Sequence, residues 1–453
     1  MGLQAIILAA GEGTRMKSAK PKVLHEVLGK PMVRWVVDAA HEAGVEDVVC
    51  VLGHGREAVA PVVAGDARVA VQKEQRGTAD AVAAAVPALE GATGSLLVLS
   101  GDCPLITPET IAALAQARED ADAGVVVLTM QVDDPTGYGR IVRDAQGQVE
   151  RIVEQKDCTP EQAQISECNS GFYCFDAELL FDALGKVDTN NAQGEFYLTD
   201  VIEIARTAGR AVVGYTADAS ECLGVNTRVQ LAAATKIMQR RINERHMLAG
   251  VTMLDPDTVW IGPDVTIDPD VEILPQVILA GKTHIGTGTV VGPCSRLTDT
   301  TVGRDCTIDE TVAIETVIDN DVDCGPRAYL RPQTHLCDGS KAGTHVEIKK
   351  STIGKGSKVP HLSYIGDTTM GAGVNIGAGS ITCNYDGEKK WPTTIGDDSF
   401  VGSDTMMVAP VNLGTHVLVG AGSVITDDVP DYALALGRAR QVVKPDRNRP
   451  AGA

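Results

Sequence analysis

From Ile261 onward an aliphatic residue falls on every sixth position: Ile261, Ile267, Ile273, Leu279, Ile285, Val291 and Leu297. The phase then slips and returns as Ile395, Val401, Met407, Leu413, Val419 and Ile425. An α-helix repeats every 3.6 residues and a strand every 2, so neither gives this spacing. A coil with three flat faces does, with one six-residue rung per face and one inward aliphatic side chain per rung. The pattern predicts a parallel β-helix of hexapeptide repeats from Val251 to about Leu436, built from coils of 18 residues. Two segments interrupt the period, one around Tyr329–His335 and one at Cys383–Thr394. The second is polar, carries Asp386-Gly387 at a turn, and is expected to loop out.

The first half is patterned differently. Apolar runs at Ala5–Leu8, Asp47–Leu52, Ser95–Leu99 and Val125–Met130 alternate with Ala-rich stretches such as Met32–Ala43 and Ala79–Leu89. Strands alternating with helices predict an α/β fold with a mixed, mostly parallel sheet covered on both faces. Ligands of such folds bind beyond the carboxyl ends of the strands. Between the halves, Leu231, Ala234, Met238 and Ile242 are spaced as one apolar helix face, with Thr227 to cap it and Gly250 to end it. The expected division is residues 1–227, a linker helix at 228–249, and 250–453 with a basic, proline-bearing tail after Arg440 that is poorly ordered at its end.

Composition narrows the function classes. A formal charge of -20 over 453 residues argues against nonspecific binding of nucleic acid or anionic membranes, so anionic substrates require local basic clusters. Eleven cysteines without a Cys-x-x-Cys pair point to a reduced, cytoplasmic chain without a disulfide framework. The apolar run Ala5–Ala10 is too short for a membrane span.

Candidate chemistry begins after the first strand, at Leu8-Ala9-Ala10-Gly11-Glu12-Gly13-Thr14-Arg15-Met16, followed by Lys17, Lys20 and Lys22. It lacks the Gly-Lys-Ser/Thr of a P-loop, and Met16 stands where a dinucleotide fingerprint has its third glycine. Small residues let backbone N–H groups approach phosphate, and Arg15 to Lys22 is a basic island in an acidic chain. A solvated turn with surface lysines remains the alternative. Leu96–Ser100 leads into Gly101-Asp102, where a carboxylate at a strand's end can hold Mg²⁺ or simply cap a turn. Further on lie Gly139, Glu154, Asn169 and Asn226.

In the repeats, His361 follows Pro360, with Arg331 and Lys349 one or two coils away. A histidine flanked by cations suits an acyl acceptor that carries an amine and a phosphate, although a lone histidine is more often structural. His335, Cys337 and His345 have none of the usual zinc spacings, and no zinc site is expected there.

On these motifs residues 1–226 resemble the sugar-1-phosphate nucleotidylyltransferases. The whole chain is similar to the bacterial bifunctional N-acetylglucosamine-1-phosphate uridylyltransferase/glucosamine-1-phosphate N-acetyltransferases. The resemblance implies that Leu8, Ala9, Ala10, Gly11 and Lys22 hold the UTP phosphates, and that Gln72, Gly77 and Thr78 read uracil. It implies that Ser100 and Gly101 border the nucleotide, that Gly139, Glu154, Asn169 and Asn226 bind the sugar phosphate, and that Asp102 and Asn226 hold Mg²⁺. Ser100 departs from the tyrosine of the family's pattern, which removes an aromatic contact. In the repeats it makes His361 the base. Arg331, Lys349, Tyr364 and Asn375 bind the acceptor, and Ala378, Asn384, Tyr385, Ser403, Ala421 and Arg438 contact acetyl-CoA. It further implies a left-handed β-helix, a cytoplasmic homotrimer, and UDP-N-acetylglucosamine for peptidoglycan and lipopolysaccharide as the product. Two competing readings are a single-function nucleotidylyltransferase with a regulatory β-helix, and a non-catalytic scaffold. The second predicts loss of Lys22, Asp102 and Asn226, yet all three are present. Cys383, beside Asn384-Tyr385, is either an inert thiol or a point at which alkylation blocks acetyl-CoA.

Overall fold

The computed structural model describes residues 2–445 and 447, so the end of the basic tail lies outside the described residues. The chain forms two compact units, Met1–Met238 and Gln239–Ala453.

The first unit is built on a mixed sheet. Its strands are β1 (Leu3–Ala9), β2 (Val45–Leu52), β3 (Arg68–Val71), β4 (Ser95–Ser100), β5 (Val125–Gln131), β6 (Arg140–Arg143), β7 (Val149–Val153), β8 (Glu167–Asp176) and β9 (Val212–Ala217). The order is β9-β5-β8-β4-β1-β2-β3, with the β6–β7 hairpin branching from β8. β1 is parallel to both β2 and β4, whereas β8 runs antiparallel between β4 and β5. Alternate residues of β1 enter opposite cores: Ala5 and Ile7 join Val33, Val36 and Leu114 on one face, while Ile6 joins Val82, Leu180 and Val201 on the other. Burial on both faces explains why this strand reads as a continuous apolar run rather than an alternation. The predicted helix at Met32–Ala43 is Met32–Glu42, and Ala79–Leu89 is a helix at Thr78–Ala85 tightening to a 3₁₀ turn at Val86–Leu89.

The linker helix spans Arg228–Leu248. Thr227 Oγ1 accepts a hydrogen bond from the Gln230 amide at 3.2 Å, and Gly250 takes a φ of 100° just past the end. Ala234, Met238 and Ile242 are buried as the spacing requires, but so are Gln239 and Asn243. Their side-chain amides donate to the carbonyls of Pro256, Asp257 and Val259 in the first coil of the repeats. Those carbonyls lie in a terminal coil, and the helix satisfies them.

The repeat unit is the expected left-handed parallel β-helix, with faces of eleven, ten and nine strands among the described residues, all pairing in parallel. Ile261, Leu279 and Leu297 point inward from one face, Ile273 and Val291 from the next, and Ile285 from the third, all fully buried. The coil length differs from the expected constant eighteen. Val302 pairs with Ile318, sixteen residues on, and Ile353 with Met370, seventeen on, because the corners shorten while the inward residues stay in register. Tyr329–Leu330 and Thr334–Leu336 are ordinary rungs, so the irregularity expected at Tyr329–His335 is instead spread over the short corners on either side. Of the segment Cys383–Thr394, residues 384–392 loop out, while Cys383, Thr393 and Thr394 stay paired in rungs: Met370 pairs with Ile395 across the loop, and Tyr385 bridges to Lys390.

On the third face, the residue after each inward aliphatic is usually glycine. A Cβ at Gly354 would lie 2.1 Å from the Gly371 carbonyl oxygen of the next coil. Gly354→Ala is therefore expected to cost roughly 1–3 kcal/mol of stability through overpacking, read as a lowered denaturation midpoint with both catalytic sites chemically intact.

Candidate active sites

The carboxyl ends of β1 and β4 open on a cavity of about 350 Å³ lined by Leu8, Ala9, Ala10, Gly11, Lys22, Gln72, Gly77, Thr78, Ser100 and Asp102. Gly101 backs it, its amide donating to the Leu8 carbonyl at 2.9 Å. Gly77 has a φ of 124°, and a Cβ there would sit 2.3 Å from the Phe196 carbonyl oxygen, so only glycine fits that wall.

Of the basic island, two side chains turn to the site. Lys22 Nζ bridges the Asp102 carboxylate and Asn226 Oδ1, the latter at 3.1 Å. Arg15 reaches the same Asn226 oxygen at 2.9 Å, while Lys20 pairs instead with Glu26. The Asp102 carbonyl accepts from the Val225 amide at 2.9 Å, which ties the Asn226 segment to the end of β4. The two oxygens face one cation, and a donor set of a carboxylate and an amide carbonyl fits Mg²⁺.

Gln72 is buried, and its Nε2 donates to Asp80 Oδ2 at 2.9 Å and to the Gly77 carbonyl at 3.2 Å. A carboxylate only accepts, so Asp80 forces the amide nitrogen toward itself and leaves the Gln72 oxygen as the group presented to a ligand. Arg76 Nη2 holds the other Asp80 oxygen at 2.6 Å. Gln75 also enters the cavity wall, donating to the Ala10 carbonyl at 2.5 Å. Neither Asp80 nor Gln75 carries a signal in the linear pattern, because each contact depends on how the chain folds back.

Gly139, Glu154 and Asn169 gather beside this cavity. The Asn169 amide donates to the Gly139 carbonyl at 2.8 Å, and a Cβ on Gly139 would approach Glu154 Oε1 at 3.4 Å. Asn169 is oriented by Tyr173 Oη, 2.7 Å from its Nδ2, and by the Gly171 amide. Ser100 Oγ meets the Gly171 carbonyl at 3.4 Å, which links the two groups of residues. Burial raises the Glu154 carboxyl above its ordinary range, and the neighbouring Asp157 and Asp200 add to this.

On the prism, His361 ends the strand Lys358–His361 and is exposed. Continuing the register from coil to coil sets His361, Ala378, Ser403 and Ala421 in one column along the corner between two faces. Arg438 follows Gly437, whose carbonyl accepts from Val424 at the last step of that corner. Asn375 stands on the face before the corner. Arg331 and Lys349 stack on successive coils of the face after it, where Tyr364 pairs with Glu347.

Acidic residues hold these cations. Arg331 Nη1 meets Glu347 at 2.8 Å, and Lys349 Nζ meets Asp367 at 3.3 Å. Asp367 also accepts from Asn384 Nδ2 at 2.6 Å, and Asn384 reaches Tyr364 Oη at 3.5 Å. A Cβ at Gly366 would come within 2.5 Å of both Tyr364 Oη and Asn384 Nδ2, so this contact needs glycine. Sequence reading missed Asp367, which becomes a neighbour of Lys349 only through coil stacking. Tyr385 lies on the looped-out segment with Lys390 Nζ 4.6 Å from its ring centroid. Cys383 is half-buried, and burial pushes its thiol up. All eleven cysteines are free.

Comparison with known proteins agrees with both halves. Residues 5–162 match the MobA-like NTP transferase domain, and residues 392–427 match the hexapeptide repeat of succinyl-transferase. The chain is 50% identical over 441 residues to the bifunctional protein GlmU of Heliobacterium modesticaldum, covering 97% of this chain and 96% of the relative. It is 49% identical over 445 residues to that of Carboxydothermus hydrogenoformans, covering 98% and 99%. Its identity to the protein of the same name from Halalkalibacterium halodurans is also 49%, over 97% of each chain.

Proposed function

This chain belongs to the family of bifunctional GlmU proteins, and from that premise we propose how its residues divide two reactions. The β-helix, residues 250–453, transfers acetyl from acetyl-CoA to glucosamine-1-phosphate. Residues 1–227 then transfer UMP from UTP to N-acetylglucosamine-1-phosphate, releasing pyrophosphate and forming UDP-N-acetylglucosamine for the cell envelope. Residues 228–249 join the two. The observation that carries this reading is the convergence of Lys22, Asp102 and Asn226 at a cavity floored by the Leu8–Gly11 backbone.

In uridylyl transfer, an oxygen of the sugar phosphate bonds to the α-phosphorus as the α–β bridging bond breaks. That oxygen is already anionic, so no base is required, and the barrier is the approach of two polyanions. Lys22 and the backbone amides of the Gly11 loop stabilise the charge that grows on pyrophosphate. Asp102 and Asn226 would hold Mg²⁺, which adds positive charge against the triphosphate. Gly139, Glu154 and Asn169 orient the sugar. The Gln72 oxygen, fixed by Asp80, accepts from uracil N3–H, a donor that cytosine lacks.

In acetyl transfer, His361 takes a proton from the acceptor's ammonium as its nitrogen attacks the thioester carbonyl, and coenzyme A leaves as the thiol. Arg331 and Lys349 hold the acceptor phosphate, with Tyr364 and Asn375 beside it. The small residues Ala378, Ser403 and Ala421 give acetyl-CoA a smooth track along the corner to Arg438, with Asn384 and Tyr385 at the acetyl end. The acceptor groups stand on an open, charged face that a second subunit would close, which supports a homotrimer with shared sites. No helix among the described residues is long and apolar enough to cross a membrane, and free thiols suit the reducing cytoplasm, where we place the protein.

Lys22→Ala is expected to lower kcat of uridylyl transfer by about 10²–10³ and leave acetyl transfer at the wild-type rate. His361→Ala should do the reverse, and separate assays of the half-reactions check both. Asp80→Asn frees the Gln72 amide to rotate, so the preference for UTP over CTP should narrow by about tenfold or more in kcat/KM, the worth of one hydrogen bond to a charged partner. Sedimentation at micromolar concentration should give three chains per particle, and a monomer with full acetyltransferase activity would refute the shared sites.

A further inference from the structure

Away from both sites, one patch of the prism departs from the rule that governs its own face. On the third face the position after the inward aliphatic forms a vertical column, with Gly286 and Gly303 below and Gly354 and Gly371 above. Side chains are unwelcome there. A Cβ at Gly286 would fall 2.7 Å from the Gly303 carbonyl carbon, and one at Gly303 would fall 2.8 Å from that of Asp319. Yet two consecutive coils of this column carry Asp319 and Cys337, whose inward neighbours Ile318 and Leu336 pair directly. Apart from Asp268 at the start of the column, the other positions are glycine, and packing alone does not call for a carboxylate and a thiol between them.

The third group comes from the strand itself. His335 and Cys337 are two residues apart, so both project from the same face. His335 Nε2 lies 2.9 Å from Asp319 Oδ2. The carboxylate oxygen, the imidazole nitrogen and the Cys337 sulfur all lie within 4.8 Å of one another. Linear spacing hides this arrangement, because Asp319 reaches the His-x-Cys pair only through coil stacking.

We propose that Asp319, His335 and Cys337 form a binding site for a divalent cation of the zinc type. One oxygen, one nitrogen and one sulfur donor make a borderline-soft set that favours zinc over magnesium. Three protein ligands leave the fourth tetrahedral position to solvent or an external ligand. Gly303 below and Gly354 above keep side chains out of the column on either side. The side chains of Asp319 and His335 are 35% and 41% exposed, so an ion can enter from solvent. Binding replaces the thiol proton of Cys337 with the metal and exchanges the His335–Asp319 hydrogen bond for two bonds to the ion, the imidazole proton moving to Nδ1.

Cobalt(II) is a direct probe, because a bound thiolate gives a charge-transfer absorption that oxygen and nitrogen ligands do not. Titration of the purified full-length protein, stripped with chelator, should show one such band per chain, and zinc should displace it. Cys337→Ser should abolish the band, and His335→Ala should weaken cobalt binding by more than about 100-fold, beyond the roughly 10–100-fold that loss of an outer hydrogen-bond partner costs. Asp102→Asn should leave the band in place, which separates this site from the nucleotide cleft. Zinc should also raise the melting temperature of the wild type and not that of Cys337→Ser, with the two melting together in chelator. Absence of a thiolate band in the wild type, or an equal band in Cys337→Ser, overturns the proposal.

Discussion

Each coil of the prism sits one β-spacing, about 4.8 Å, above the last, and that distance governs the repeat unit. It forces one inward aliphatic per rung, because the interior of so narrow a coil admits little else. It also forces glycine wherever the backbone of the next coil crosses a Cβ, as at Gly343 and Gly354. The same spacing turns residues about seventeen apart in sequence into direct neighbours. His361, Ala378, Ser403 and Ala421 form a column for that reason, the looped-out segment lengthening only the step from Ala378 to Ser403. A reactive group on such a scaffold is held by backbone on both sides, with little freedom to move.

The nucleotide cleft is organised by charge rather than by spacing. In an acidic chain, Lys22 and Arg15 are drawn to one point by Asp102 and Asn226. These oxygens restrain both cations at one end of the cleft. Burial beside Asp157 and Asp200 has the opposite effect at Glu154, where the charged form is disfavoured. One domain thus has a cationic end at Lys22 and Arg15 and a carboxyl of muted charge at Glu154.

Much of this was legible from residue order. The six-residue period is readable because every rung repeats the same inward choice, and β1 is readable because both of its faces are buried. The strand ends located Gly11, Gly101 and Asp102. The contents of the corners were not readable, since a coil can lose one or two residues there without moving Ile318 or Met370 out of line. Gln239 and Asn243 look solvent-facing in a polar helix, but the carbonyls that bury them belong to a later segment. Asp80 and Asp367 were invisible for the same reason. Their importance comes from Gln72, Lys349 and Asn384, which become partners only once the chain has folded.

The looped-out segment between Cys383 and Thr393 has a consequence for how such a molecule can change over time. The strands on either side of it resume pairing as though nothing had been inserted. An insertion at a corner therefore has only local effects, and later coils keep their phase. Corners behave as editable margins of a ruled page, where new chemistry can be written without disturbing the lines.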